Sequence, residues 1–441
     1  MADAANAPAG NVTIPDDVKR HRTYALIILT LIYMSSHLDR SIVGILAQPI
    51  KDELGLSDTQ VGFLGGFAFA VFYATLGIPL ALLADRTNRR NIIAFAVTVW
   101  SVMTVACGFA GNYLQLVLAR IGVGVGEAGS SPQSHSMIAD MYAPHERSRA
   151  MSVYTLGVTL GVMLGFMVGG YVSTHWGWRT AFFVAGAPGL ILGVIVWLTV
   201  REPQRGLADG LAPGARKPQT FGEAMTGLGQ AFVFIWQSKA ARHVVIGLTL
   251  TSFVGYGVTV WGASFLERTH HIPRDQIGLV LGPIAGIAGG FGTVLGGYLA
   301  DRLSRRDLQW TSWIIAVGKF GAAPMVLGFY ALDNFTLAIL FYLPAAVLGA
   351  FYLGPSFAIV QSVAPVAMRA TAAAITLFIL NFIALGLGPL FVGILSDALK
   401  ATYGSESLRY ALMVTSLINV WAGYHFFLAG PAYKREMTKA A

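Results

Sequence analysis

The feature that most constrains this chain of 441 residues is a series of long apolar stretches separated by short polar segments. The hydrocarbon core of a bilayer is ~30 Å thick, so a helix needs ~20 mostly apolar residues to cross it. A backbone surrounded by lipid must satisfy its own hydrogen bonds, which favours a helix in each stretch. The sequence predicts twelve membrane-spanning helices, at 23–48, 59–83, 91–110, 113–140, 148–173, 179–200, 242–266, 276–300, 309–331, 335–361, 369–396 and 407–430.

The composition supports an integral membrane protein and excludes a soluble one. Hydrophobic residues make up 55% of the chain and charged residues 12%, which is about half the ~25% charged share of a soluble domain. The single cysteine, Cys107, cannot form a disulfide within the chain. The first apolar stretch is long enough to span a membrane, so we expect it to remain as an anchor rather than to be cleaved as a signal peptide.

The Lys and Arg residues lie mainly on one side of the predicted spans. With a cytoplasmic N-terminus, twenty-one of the thirty fall in cytoplasmic segments, six in external loops and three inside spans. Cytoplasmic loops of membrane proteins carry such an excess of positive charge. We therefore expect a multi-pass protein of a bacterial-type inner (plasma) membrane with both termini in the cytoplasm. The same distribution accounts for the net charge of +8 without a nucleic-acid partner.

A short motif occurs twice, and its spacing indicates an internal duplication. The residues LADRTNRR at 83–90 recur as LADRLSRR at 299–306, 216 positions later. The longest polar interruption, 201–241, separates two groups of six spans, and parallel repeats of this kind are a known transporter architecture. The predicted organisation is a cytoplasmic tail (1–22), a six-helix bundle (23–200), a cytoplasmic linker (201–241), a second six-helix bundle (242–430) and a cytoplasmic tail (431–441).

These motifs resemble those of the major facilitator superfamily. The family's loop motif reads roughly G-x-L-A-D-R-x-G-R-R, and its R-x-G-x-G signature matches 120–124 in the fourth span. Ala81 and Asn88 replace two of the usual glycines in the first copy of the loop motif. The resemblance implies an all-α integral membrane fold of two pseudo-symmetric six-helix bundles, with a latch on the cytoplasmic side. The latch residues would be Asp85, Arg86, Arg89 and Arg90 in the first copy, and Asp301, Arg302, Arg305 and Arg306 in the second.

Two acidic residues, Asp39 and Glu127, fall well inside predicted spans, accompanied by Arg40 and Arg120. A charge at mid-bilayer costs at least ~2.5–3.5 kcal/mol, which makes such residues functional candidates. One interpretation is a buried ion network that only fixes the packing of spans 1 and 4. The other is proton coupling, because burial favours a neutral carboxyl group and a nearby guanidinium favours the carboxylate. We predict that Asp39 and Glu127 exchange protons and that Arg40 and Arg120 pair with them or with substrate.

Other polar residues in the spans could line a cavity or pack against neighbouring helices. His37 and His135 could relay protons, but a buried histidine with satisfied hydrogen bonds is the simpler interpretation. Lys319 lies in the ninth span, which is peripheral in the family, so we expect its ammonium group to reach the membrane surface or a lipid phosphate. The cavity candidates are His37, Tyr73, Tyr154, Tyr256, Trp261, Tyr352 and Asn381.

Glycines recur at every fourth position in spans 5 and 8, and small residues at this spacing let two helices approach closely in a membrane. The two stripes are Gly157, Gly161, Gly165 and Gly169, and Gly278, Gly282, Gly286 and Gly290. The sequence therefore predicts close helix contacts at these positions. It also predicts a helix along the membrane surface within the linker, at 221–236.

No pattern of residues indicates an enzyme. The nine histidines are scattered and do not combine with Cys107 into a metal-ligand cluster. The segment 124–129 matches G-x-G-x-x-G, but it lies inside an apolar helix and not after a strand. No Walker A sequence occurs. We expect no enzymatic activity, no cofactor and no metal.

The second half has no acidic residue within its spans and one basic residue, Lys319, so we expect a largely apolar and aromatic cavity wall there. A cavity charged on one wall and apolar on the other suits an amphipathic substrate with an anionic head. The segments LDR at 38–40 and RIGVGVGEA at 120–128 resemble the Spinster branch of the superfamily. This resemblance implies proton-driven transport of a lysophospholipid or a sphingosine-1-phosphate-like lipid; a sugar or small organic anion is the alternative. We expect a monomer whose partners are the bilayer, protons and substrate.

Overall fold

The structure, a computed structural model, describes residues 15–210 and 220–440. The first fourteen residues of the predicted N-terminal tail, residues 211–219 of the predicted linker and residue 441 lie outside the described residues. Within the described ranges the chain is almost entirely helical and has no β-strand. This confirms the predicted all-α class.

The first half of the chain forms six helical segments. They are α1 (Asp16–Leu54), α2 (Asp58–Arg86), α3 (Arg89–Gly108), α4 (Tyr113–Glu127), α5 (Ser131–Met141) and α6 (Pro144–Thr199). The last of these contains two spans, because Gly177 adopts a positive φ of 84° that bends the chain back into the membrane. A residue with a Cβ atom rarely adopts this conformation, so glycine fits the turn.

The second half begins with a helix of the linker and continues with the remaining spans. The segments are α7 (Phe221–Gln237), α8 (Lys239–His270), α9 (Arg274–Ser304), α10 (Trp310–Ala331), α11 (Phe335–Gly349), α12 (Leu353–Val363), α13 (369–403) and α14 (Ser407–Ala440). The linker helix α7 begins with a capping box of Thr220 and Glu223. It confirms the helix predicted at 221–236.

The described residues contain nine helical stretches that are long and apolar enough to cross a membrane. Two of them, Pro144–Thr199 and Arg369–Lys439, fold back at a break and cross twice. The pair α4 and α5 together supply one more crossing. The total of twelve confirms the predicted number of spans. An even number places both termini on one side of the membrane, which we call the terminal side, and we call the other the distal side.

The fourth span is broken, whereas the sequence analysis predicted a continuous helix at 113–140. Helix α4 ends at Glu127 and α5 begins at Ser131. Pro132 lies in the first turn of α5, where its missing N–H group costs no helical hydrogen bond. The tenth span has a corresponding break at 350–352, between α11 and α12. Both breaks leave backbone groups at mid-membrane without helical partners.

The glycine stripes bring helix backbones into direct contact, as predicted. On α6, a Cβ atom added to Gly161 would collide with the carbonyl oxygen of Met34 on α1. On α9, a Cβ atom added to Gly278 would collide with the carbonyl oxygen of Phe166 on α6. The first stripe therefore packs α6 on α1 within the first half, and the second packs α9 on α6 across the two halves.

We predict that Gly161→Ala lowers the thermal unfolding midpoint of the purified protein, because the added methyl group must push α1 and α6 apart at a cost of ~1–3 kcal/mol. Gly77→Ala is the matched control, since a Cβ atom at Gly77 has no neighbour within 4 Å. Its midpoint should stay the same or rise. Equal midpoints for the two variants would contradict the close contact.

Candidate functional site

Four charged side chains from α1 and α4 meet inside the first half. The Arg40 guanidinium donates a hydrogen bond from Nε to Glu127 Oε2 at 2.7 Å, which ties α1 to α4. Asp39 and Arg120 lie within electrostatic range of this pair. The sequence analysis predicted that these four residues belong together, and the structure brings them together. The chain neighbours Asp39 and Arg40 do not bond to each other, because successive side chains on a helix point in different directions.

The four residues differ in how much of the side chain is exposed. Asp39, Glu127 and Arg120 are 0%, 1% and 2% exposed. The Arg40 side chain keeps 16% of its surface exposed. Arg40 is therefore the member of the cluster that a molecule in the cavity can reach, and Glu127 holds it from behind.

The cluster leaves several buried polar atoms without a hydrogen bond from any described residue. Thr104 donates to Asp39 Oδ2 at 3.0 Å, but Asp39 Oδ1 has no partner. Glu127 Oε1 and the Nε and Nη1 atoms of Arg120 also have none. Buried polar groups are paired in the great majority of cases. The protein groups described here therefore do not complete this cluster by themselves.

Aromatic rings cover the two guanidinium groups. The Arg40 guanidinium lies 4.4 Å from the ring centroid of Tyr73 and 4.9 Å from that of Phe69. The Arg120 guanidinium lies 5.4 Å from the Phe69 ring. Cations over aromatic faces are stabilised by the ring quadrupole, most strongly where water is excluded. Phe69 was missed by the sequence analysis, although its spacing of four from Tyr73 places both rings on one face of α2.

A series of tyrosines leads from this cluster into the second half. Tyr256 on α8 lies within electrostatic range of Arg40 and Tyr73, and also of Tyr352 at the start of α12. Tyr73, Tyr256 and Tyr352 are all half-buried. Three of the predicted cavity residues therefore lie along one path between the halves.

Other predicted cavity residues take part in packing. His37 Nδ1 donates to the backbone carbonyl of Tyr33 at 3.0 Å. Tyr154 is fully buried and stacks on Tyr33 at a centroid distance of 4.4 Å. His135 contacts the edge of this stack, 5.0 Å from the Tyr154 ring, and its Nδ1 donates to the Ser131 carbonyl at 2.8 Å. Tyr154 is thus a packing residue and not a cavity residue, and both histidines have a backbone acceptor for their Nδ1–H.

Trp261 and Asn381 occupy different surroundings. Trp261 is fully buried, and its indole N–H donates to the carbonyl of Pro389 at 2.8 Å. This hydrogen bond joins α8 to α13. Trp261 is therefore a packing residue and does not line a cavity, since a buried indole N–H usually has a hydrogen-bond acceptor. Asn381 is half-buried in the π-helical turn Leu380–Leu385 of α13.

The expected position of Lys319 was wrong. Its side chain does not reach the membrane surface: it is 3% exposed and turned into the second half. Nζ donates to the carbonyl of Gly349 at 2.6 Å and lies 4.6 Å from the ring centroid of Tyr352. Gly349 is the last residue of α11. Its carbonyl is free because the tenth span breaks there, and that acceptor draws the lysine inward.

Comparison with known proteins identifies the family. The model of the Major Facilitator Superfamily matches residues 29–389. This chain belongs to the major facilitator superfamily. A protein of Mycolicibacterium smegmatis described as an MFS-type efflux pump is 33% identical over 431 residues, which cover 97% of each chain. The family assignment confirms that the chain is a transporter and not an enzyme, with the two-bundle fold that the resemblance implied.

The resemblance to the Spinster branch is also confirmed. A crystal structure of a bacterial homolog of the human lysosomal transporter Spinster, inward-facing and unoccupied, superposes with a TM-score of 0.83. It is 32% identical, and the match covers 95% of this chain and 98% of that one. Spinster homolog 1 of Xenopus tropicalis is 25% identical, covering 96% and 83%. A probable L-galactonate transporter of Escherichia coli is 25% identical, covering 77% and 73%.

The two copies of the superfamily loop motif have different surroundings. In the first copy, Arg89 is 2% exposed and donates to Asp140 at 2.5 Å and to Glu202 at 2.7 Å. Asp85 pairs with Arg205 at 3.6 Å. These contacts fix the start of the linker to the terminal side of the first half. In the second copy the Arg302 guanidinium donates to the hydroxyl of Tyr298 on the same helix. All four charged residues of this copy are exposed: Asp301, Arg302, Arg305 and Arg306.

A polar clamp that the sequence analysis did not predict joins the halves on the distal side. Asp58, at the start of α2, accepts from Arg268 of α8 at 2.8 and 2.9 Å and from Ser396 of α13 at 2.6 Å. Lys51 also bonds to Asp58. Asp397 in turn accepts from the backbone N–H of Thr59 at 2.7 Å. In the sequence these residues looked like ordinary loop and helix-end charges, so no signal set them apart.

We predict that Asp58→Asn loosens the distal side, because the neutral amide cannot hold the Arg268 guanidinium through a charge-assisted pair. Electron–electron distance measurements between spin labels on Asp52→Cys and Thr402→Cys, in a Cys107→Ser background, should gain a longer-distance population. Glu267→Gln is the matched control, since its ion pair with Arg274 lies within one half. An unchanged distance distribution in Asp58→Asn would show that the clamp does not hold the halves together.

Proposed function

We propose that this protein is a proton-coupled secondary active transporter that works by alternating access and moves an anionic substrate. The observation that supports this most strongly is the Arg40–Glu127 pair: a buried carboxylate bonded at 2.7 Å to the one cation of the cluster that keeps an exposed surface. In such a pair, the Arg40 guanidinium can release the Glu127 carboxylate and bind the anionic group of a substrate.

The coupling follows from electrostatics in a medium of low dielectric constant. While Glu127 is ionised it neutralises Arg40, and an anionic substrate gains little by approaching. When Glu127 takes up a proton, Arg40 becomes an uncompensated cation at the cavity wall and attracts the substrate anion. Binding of the anion favours protonation by the same free energy, because linkage is reciprocal. Asp39 is the second acid of the cluster, and one of its oxygens has no hydrogen-bond partner among the described residues. It can also take up a proton and so change the net charge beside Arg40.

The two sides of the membrane would be opened in turn around this site. The Asp58 clamp holds the distal side closed, and the Arg89 network fixes the linker on the terminal side. We propose that the terminal side faces the cytoplasm, which the excess of basic residues there supports, and that the protein acts as a monomer in a bacterial-type inner membrane.

We predict that proteoliposomes with the wild-type protein show substrate-dependent proton movement, measured with an internal pH dye. Glu127→Gln and Asp39→Asn should abolish it, since neither amide can carry the proton. Glu223→Gln is the control, because this acid lies in the linker helix outside the spans. Unchanged proton movement in both cluster variants would reduce the four charges to a structural role.

We further predict that Glu127→Gln binds the anionic substrate with an affinity that no longer depends on pH. The amide resembles the protonated acid, so Arg40 stays free at every pH. A wild-type affinity that weakens as the pH rises, by roughly the 5- to 150-fold typical of coupled sites, should become flat in the variant. Equilibrium binding to the detergent-solubilised protein measures this. A pH dependence that persists in Glu127→Gln would assign the proton to another group.

For the substrate, we propose an amphipathic anion such as a lysophospholipid or a sphingosine-1-phosphate-like lipid. The likeness to the Spinster branch supports it, as does a cavity path of half-buried tyrosines, whose rings tolerate both an apolar chain and a polar head. The charged end of the substrate would meet Arg40.

A small hydroxylated organic anion is a second candidate, and one observation favours it. The second half is not purely apolar at its cavity, since Lys319 and several uncharged polar side chains line it. The similar E. coli protein is described as a probable transporter of L-galactonate, which is such an anion. Uptake into proteoliposomes of sphingosine-1-phosphate, lysophospholipid, galactonate and xylose would decide between the classes. Uptake of xylose only would rule out both anionic proposals.

A further inference from the structure

We propose that Lys319 forms a second anion-binding subsite, in the second half, for a carboxylate or phosphate that carries hydroxyl groups. This inference rests on the proposal that the substrate is an anion, and it adds where the second half binds it. The subsite is separate from the Arg40 cluster and uses none of its residues.

The first observation is a cavity of about 200 Å³ that Lys319 lines. This is below the ~300–1,000 Å³ of pockets for drug-sized ligands, so it suits a small anion or a headgroup. It lies mainly between α8, α9, α10, α11 and α14, and Phe166 of α6 closes one side. Its polar lining residues include Thr251, Lys319, Tyr352 and Asn419.

The second observation is that the ammonium group is incompletely bonded. A lysine has three N–H donors, and Lys319 makes one hydrogen bond to the described residues, to the Gly349 carbonyl at 2.6 Å. No described carboxylate forms an ion pair with it. Buried charges in proteins are normally paired. An anionic ligand would supply the missing partner.

The carbonyl end of α11 explains how the lysine is held without being neutralised. The last carbonyls of a helix carry a partial negative charge, and the break after Gly349 places this end at mid-membrane. One such carbonyl and the face of the Tyr352 ring orient the ammonium group. Neither cancels a full charge, so the attraction for an anion remains.

The third observation concerns two uncharged groups in the same cavity. Thr251 Oγ1 and Asn419 Oδ1 are buried and have no hydrogen-bond partner among the described residues. An unbonded hydroxyl can donate or accept, and an amide oxygen requires a donor. A ligand with hydroxyl groups next to its anionic group would satisfy both while it pairs with Lys319. This chemistry occurs in sugar acids and also in glycerophosphate headgroups.

The position of the subsite connects it to the rest of the transport path. Tyr352, under the Lys319 ammonium, lies within electrostatic range of Tyr256, and Tyr256 is in range of Arg40. An extended substrate that follows these tyrosines would contact a cation in each half. Because each half would then hold part of the substrate, closure around it would draw the halves together.

The experiment uses the purified full-length protein in detergent at a fixed pH, with no proton gradient. Binding of galactonate and of lysophosphatidate is measured by calorimetry, with galactitol and monoacylglycerol as their neutral counterparts. We expect at least one anion to bind and its neutral counterpart not to.

Lys319→Gln should weaken anion binding by at least ~10-fold, as expected for a lost charge-assisted pair of ~1.5–3 kcal/mol. Lys319→Arg should retain most of it, and Lys400→Gln, exposed on the distal side, should bind as wild type.

A second variant keeps the test independent of any folding defect in Lys319→Gln. Asn419→Ala leaves the cation in place, so it should weaken binding of the hydroxylated anion while inorganic phosphate binds as it does to the wild type. Binding of galactonate only would identify a free anion, and binding of lysophosphatidate only a lipid headgroup. Either result supports the subsite when Lys319→Gln weakens the binding.

Two results would overturn the proposal. One is wild-type anion affinity in Lys319→Gln; if the unfolding midpoint is also lowered, the lysine is a cap for the end of α11. The other is no binding of either anion by the wild type. Failure of proton coupling is distinguishable, because it would alter the Glu127→Gln measurements and leave these binding results unchanged.

Discussion

A backbone inside a bilayer has to satisfy its own hydrogen bonds, and the rest of this structure depends on where it does not. The fourth and tenth spans each break at mid-membrane, after Glu127 and after Gly349. Each break is accompanied by a cation within the membrane: Arg40 bonds to Glu127, and Lys319 bonds to the Gly349 carbonyl. The two breaks lie at related positions in the duplicated chain. Each half therefore has one place inside the membrane where a cation finds a polar partner.

The packing between helices leaves room for these points to move relative to each other. Where the halves meet along α6 and α9, glycines such as Gly278 bring backbone against backbone. Polar clamps at the membrane surfaces add contacts between the halves that can form in one arrangement and break in another. Asp58 on the distal side is such a clamp, because it bonds to residues of both halves.

The sequence predicts this fold well because the lengths of the apolar stretches and the positions of the basic residues can be read directly from the order of residues. It also predicts which buried charges matter, since Asp39 and Glu127 stand out in apolar stretches. It does not predict the partner of Arg40, because pairing depends on how α1 and α4 face each other. Lys319 was misplaced because its acceptor is a backbone carbonyl exposed by a helix break. Glycines and Pro132 lie around the break in the fourth span, where the apolar length alone predicted a continuous helix.

The charge balance of the Arg40 cluster has an electrical consequence. Two acids and two bases leave it neutral when all four are ionised. If one proton enters together with one monovalent anion, the loaded and empty forms carry the same net charge. The membrane potential, worth ~2.3 kcal/mol per elementary charge per 100 mV, then neither drives nor opposes the step that carries substrate across. Such a transporter would respond to the difference in pH between the two compartments and be indifferent to voltage.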